Sequence, residues 1–63
     1  MAIGENIARV RELKGLKQCE LAELIGVKQS MVSQIERGTK ALSVALAIKV
    51  MEVLECSFED LIK

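Results

Sequence analysis

The 63-residue chain has no proline, no tryptophan, no tyrosine and no histidine, and its one aromatic residue is Phe58. A core without aromatics must be assembled from Leu, Ile, Val, Met and Ala. The absence of histidine removes the commonest general base and the commonest zinc ligand. The two cysteines, Cys19 and Cys56, lie far apart and form no CxxC pair, so neither a redox motif nor a metal site is expected. A Cys19–Cys56 disulfide stays open at this stage, but buried free thiols acting as small hydrophobes are the expectation. No apolar run approaches the ~18 residues that a membrane span needs, and no charged-then-apolar leader is present. The chain reads as soluble and cytoplasmic, without a membrane partner. No glycine-rich phosphate loop and no nucleophile beside a base can be found. Catalysis, a cofactor and a small-molecule ligand are therefore not expected.

What is present is balanced overall and uneven locally. Nine cations offset nine anions, a poor first sign for a nucleic-acid binder. Residues 27–49, however, hold Lys28, Arg37, Lys40 and Lys49 against Glu36, a balance of +3. Residues 50–63 hold Glu52, Glu55, Glu59 and Asp60 against Lys63, a balance of −3. A basic middle and an acidic end allow one part of the molecule to face phosphate while the other avoids it.

Four glycines, at 4, 15, 26 and 38, punctuate short helical patterns. "ENIARVRELK" spaces Ile7 and Val10 for one helical face and stops at Gly15. "QCELAELI" groups Leu21, Ala22 and Ile25 and stops at Gly26. "KQSMVSQIERG" runs from Lys28 to Gly38. "SVALAIKVMEVLE" opens on Ser43, a good N-cap, and "SFEDLI" opens with Ser57 and Asp60 in capping-box order. Almost nothing alternates with period two. The pattern predicts an all-α domain of five short helices over residues 1–63. Its expected core includes Leu16 and Phe58 beside the periodic Ile, Val and Leu positions.

The third segment carries the functional signal. At roughly 100° per residue, Val32 and Ile35 share one side, while Gln29, Ser30, Ser33, Gln34 and Arg37 share the other. A solvated face would use Glu, Lys and Arg, the better helix formers. Uncharged residues that both donate and accept suit a patterned partner instead. Only Gly26, Val27 and Lys28 separate this helix from the one before it. So tight a joint forces a steep crossing, the helix-turn-helix geometry, whose second helix enters the major groove.

Five stretches together, "IG" at 3–4, "GLKQ" at 15–18, "ELAELIGV" at 20–27, "VSQIERG" at 32–38 and "SFEDLI" at 57–62, closely resemble the lambda-repressor-like helix-turn-helix family, of the Xre and phage Cro-repressor type. The resemblance spans nearly the whole chain. It implies a compact five-helix fold, a bacterial or phage-encoded transcriptional regulator of repressor type, and double-stranded operator DNA as partner, usually palindromic and bound by a homodimer. It places Gln29, Ser30, Ser33 and Gln34 against bases. It places Gln18 on a phosphate and as a brace for the recognition helix, and it pairs Arg11 with Glu36 between the first and third helices.

The departures from the family pattern are informative. Lys17 and Lys28 stand where Ser or Thr usually caps a helix. A lost cap costs on the order of 1 kcal/mol, and a cation at a helix N-terminus opposes the dipole. Both lysines make sense if DNA phosphate lies beside them, in a set that includes Gln18, Arg37 and Lys40. Leu42 replaces a common proline. Glu55 replaces a common glycine, so the turn before Cys56 is expected to differ. The fourth helix is apolar beyond one stripe, and Leu46 and Val53, off its core face, either extend the core or, with Ile62, form the expected dimer contact. A rival reading is a protein-interaction module of the same fold, antitoxin-like or scaffold-like, which the neutral net charge favours.

Overall fold

The structure, a computed structural model, describes residues 3–62 and contains among them five α-helices and no strand. They are α1 (Ile3–Leu13), α2 (Gln18–Ile25), α3 (Gln29–Arg37), α4 (Val44–Leu54) and α5 (Phe58–Ile62). None is long and apolar enough to cross a membrane.

The helix stops behave as the glycine spacing requires. Gly26 adopts a left-handed backbone (φ 77°, ψ 32°), and Val27 N–H donates to the Ala22 carbonyl at 2.9 Å, closing α2 while turning the chain toward α3. Val27 is half-buried against the core. Ser43 caps α4 by accepting from the Leu46 N–H at 3.2 Å. Ser57 and Asp60 form a reciprocal capping box at α5, with 2.9 and 3.3 Å bonds. At α2 the cap is half-made: Glu20 Oε1 accepts from the Lys17 N–H at 2.8 Å. At α3 no side chain caps the N-terminus.

The core draws on every helix: Ile7 and Val10, Leu21, Ala22 and Ile25, Val32 and Ile35, Val50 and Leu54, and Leu61. α3 sits centrally, packed on both α1 and α2, while α5 closes over α1 and α4 over α2. Asn6 is buried and donates from Nδ2 to the Leu61 carbonyl at 2.7 Å, fixing α5 to α1.

Four expectations need correction. Phe58 is 56% exposed, because it is the first residue of a five-residue helix whose inward face holds only Leu61. Leu16 is half-buried, in the loop after α1. Cys19 is an exposed free thiol near the start of α2, and Cys56 is a half-buried free thiol, so there is no disulfide. The turn before Cys56 keeps the left-handed geometry that a glycine would give it, with Glu55 itself at φ 52°, ψ 47°.

α1 begins at Ile3, earlier than the Glu5 start of its periodic stretch, and Gly4 explains how its first turn fits. A Cβ there would collide with the backbone carbonyl oxygens of Ile35 and Glu36. The first turn of α1 therefore rests directly on the backbone at the end of α3. Two substitutions should act in opposite directions. Gly4→Ala should destabilise the fold by about 1–3 kcal/mol through overpacking. Glu55→Gly should stabilise it by about 1 kcal/mol by relieving the left-handed strain. Urea unfolding midpoints at constant slope check both, and equal shifts of one sign would contradict the assignment.

Candidate nucleic-acid interface

α3 divides sharply by environment. Val32, Ile35 and Glu36 are buried. Gln29, Ser30, Gln34 and Arg37 are exposed, and Met31 and Ser33 are half-buried at the borders. The arc predicted to face a partner is thus the exposed arc, presented by a helix anchored on its other side.

Glu36 supplies much of that anchor. Its side chain is only 6% exposed and accepts from Arg11 Nε at 2.7 Å and Arg11 Nη2 at 3.2 Å. Gln18 Nε2 donates to Glu36 Oε1 at 2.8 Å. Arg11 is itself fixed by a 2.7 Å bond from Nη1 to the Leu16 carbonyl. One carboxylate therefore collects donors from α1 and α2 and holds α3 against both. Among the described residues, no buried side-chain nitrogen or oxygen lacks a hydrogen-bond partner, so the burial of this charge is compensated.

The candidate phosphate-binding residues lie at or beside helix ends. Lys17 precedes α2 and Lys28 precedes α3; both are exposed, and neither makes a side-chain cap. Gln18 is half-buried, its amide nitrogen turned to Glu36. Arg37 ends α3 and Lys40 follows in the loop, both exposed. At that end Gly38 is left-handed (φ 80°), and the Thr39 hydroxyl donates to the Gln34 carbonyl at 3.2 Å. A polar residue just past the closing glycine is its only sequence signal.

Among the described residues no group of His, Cys, Asp and Glu could hold a metal ion. The Cys56 thiol is pushed up from its ordinary range, first by burial and then by the Asp60 carboxylate, which disfavours the thiolate.

Comparison with known proteins adds an independent line. A family model described as "Helix-turn-helix" matches residues 7–61. A Pyrococcus furiosus protein named for a helix-turn-helix-type transcriptional regulatory role, PF1851, is 35% identical over 60 residues, which is 95% of this chain and 18% of that protein. The antitoxin PezA of Streptococcus pneumoniae is 30% identical over 95% of this chain and 38% of its own length. The chain thus spans less than half the length of these curated relatives. Among solved structures, the biofilm master regulator SinR in complex with DNA superposes with a TM-score of 0.88 at 39% identity, covering 97% of this chain and 98% of that one.

The buried carboxylate makes a quantitative prediction. Arg11→Met and Glu36→Gln should each destabilise the fold, by an amount approaching the roughly 3–5 kcal/mol of a broken buried pair. The double variant should lose clearly less than the two together, giving a coupling energy above about 1 kcal/mol. Urea unfolding of the four proteins measures it. Additive losses would mean that the pair does not act as a unit.

Proposed function

The chain belongs to the helix-turn-helix family, and on that premise we propose that it is a sequence-specific DNA-binding transcriptional regulator, acting as a repressor at palindromic operator sites in the cytoplasm of its bacterial or phage-infected host. Residues 1–63 act as one DNA-binding domain, and the protein works by occupancy rather than catalysis. The observation that carries this reading is the exposed row of Gln29, Ser30 and Gln34 on a helix whose opposite face is buried and ion-paired. Similarity to SinR, solved with DNA, supports it.

The roles follow from donor and acceptor chemistry. A glutamine amide matches adenine in the major groove, its carbonyl accepting from N6–H and its nitrogen donating to N7. Gln29 and Gln34 are assigned that task, with Ser30 and Ser33 reading adjacent edges. Lys17, Lys28, Arg37 and Lys40 hold phosphates and set the register. Gln18 has a second duty. While its amide nitrogen braces Glu36, its carbonyl is an acceptor and cannot bond a phosphate oxygen, so its phosphate bond must come from the remaining amide hydrogen or the backbone N–H. An N-terminus without a side-chain cap, as at α3, leaves main-chain N–H groups for phosphate, to which the helix dipole adds.

A second reading, a protein-interaction module, is favoured by the zero net charge and by the similarity to an antitoxin. Selection of bound duplexes from a random pool, followed by affinity measurement at several salt concentrations, separates the two. A regulator enriches one motif and loses affinity steeply as salt rises. A protein-binding module enriches nothing.

Two predictions follow for the selected site. Gln29→Ala and Gln34→Ala should each cost about 1–3 kcal/mol there and relax preference at one or two base pairs. Equal losses on random DNA would remove them from base reading. Lys28→Ser should restore a cap and stabilise the free protein by about 1 kcal/mol. It should also weaken DNA binding and lower the salt slope by about one. An unchanged slope would exclude a phosphate role for Lys28.

A further inference from the structure

The chain after α3 folds back on the end of that helix. Gly38 N–H is shared between the Gln34 and Ile35 carbonyls. The Gln34 carbonyl also accepts from Thr39 N–H at 2.9 Å and from Lys40 N–H at 3.3 Å. The Thr39 hydroxyl is a further donor to the same oxygen, at 3.2 Å. A carbonyl oxygen has two lone pairs, so the main-chain donors satisfy it by themselves and the hydroxyl is surplus. That hydroxyl can turn away without stranding a buried acceptor. Thr39 is exposed, and it stands between two exposed cations, Arg37 and Lys40. The C-terminal end of a helix repels an anion, so a phosphate here depends on those cations and on side-chain donors.

We propose that Thr39 is a further DNA-contacting residue, whose hydroxyl caps the Gln34 carbonyl in the free protein and is handed to a backbone phosphate oxygen in the complex. The proposal rests on the DNA-binding reading and adds to it a contact of a different kind. A hydroxyl bonds a phosphate without neutralising it, so it adds affinity while releasing no counterion. Phosphates carry no sequence information, so the gain is the same on every duplex. Lys40 differs on the first point and Gln34 on the second, although the three residues meet at one carbonyl.

Thr39→Val tests the contact. Valine keeps the branched shape and lacks the hydroxyl, and the position lies outside the left-handed region, so the backbone accepts it. Affinity for a selected duplex and for a random one should fall alike, by about five- to tenfold, with the salt slope unchanged. Thr39→Ser should restore both affinities. The urea midpoint of the free protein should stay at the wild-type value, because the main-chain donors to Gln34 remain. Replacing single phosphates of the selected duplex with neutral methylphosphonates locates the partner. At one position the replacement should cost Thr39→Val clearly less than it costs the wild type. Unchanged affinity overturns the proposal and leaves Thr39 a helix cap. A loss confined to the selected duplex overturns it by making Thr39 a support for Gln34. A salt slope lowered by about one overturns it by routing the effect through Lys40, and so does the absence of coupling at every phosphate. A wild type that binds no duplex sinks the DNA-binding reading and this contact with it, whereas a wild type and a Thr39→Val variant that bind equally sink the contact alone.

Discussion

The carboxylate of Glu36 is the point through which the three N-terminal helices are held in register. It lies on the central helix, and its donors come from Arg11 on α1 and Gln18 at the start of α2. A buried carboxylate is costly unless its lone pairs are met, so this one enforces the geometry around it. Moving α1 away from α3 would strand a charge, and moving α2 away would remove one of the carboxylate's donors. The apolar contacts of Val32 and Ile35 supply adhesion without direction. The ion pair supplies direction, and the exposed row of Gln29, Ser30 and Gln34 inherits its orientation from it.

The same helix shows where local stability is set aside. α4 and α5 have side-chain caps at Ser43 and Ser57. α2 has only the Glu20 half of a box, and α3 has none. Lysine occupies both weak positions, against the helix dipole. Sequences break local rules mainly where function requires it. The two under-capped N-termini are those that the proposed DNA-bound state would complete, with phosphate in place of a capping hydroxyl. The capped helices are those that carry the acidic end of the chain, at Glu52, Glu59 and Asp60.

The readable part of this fold was the part governed by short-range rules. Left-handed stops at Gly15, Gly26 and Gly38, the caps at Ser43 and Ser57, and the two-sided pattern of α3 follow from spacing and residue type. Long-range facts were not readable. Periodicity shows that α4 is apolar beyond one stripe, but only packing decides that Leu46 and Val53 turn inward and Val44 and Ile48 outward. Phe58 invites a core assignment by its chemistry, and its place at the first position of a very short helix overrules it. The αL conformation of Glu55 was hidden because the residue type argues against it. The Arg11–Glu36 pairing came from family resemblance, since two opposite charges 25 positions apart carry no local signature. For the candidate interface, exposure accords with the pattern, while the individual base and phosphate roles rest on chemistry alone.

On the proposed function, the surface made by α3 and the N-termini of α2 and α3 is the one that meets DNA. Backbone amide chemical-shift mapping during titration with a selected duplex measures this most directly. The largest shifts should fall at residues 17–19, 28–34 and 37–40. Shifts concentrated on α1 or on the outer faces of α4 and α5, with residues 28–34 unmoved, would contradict the account.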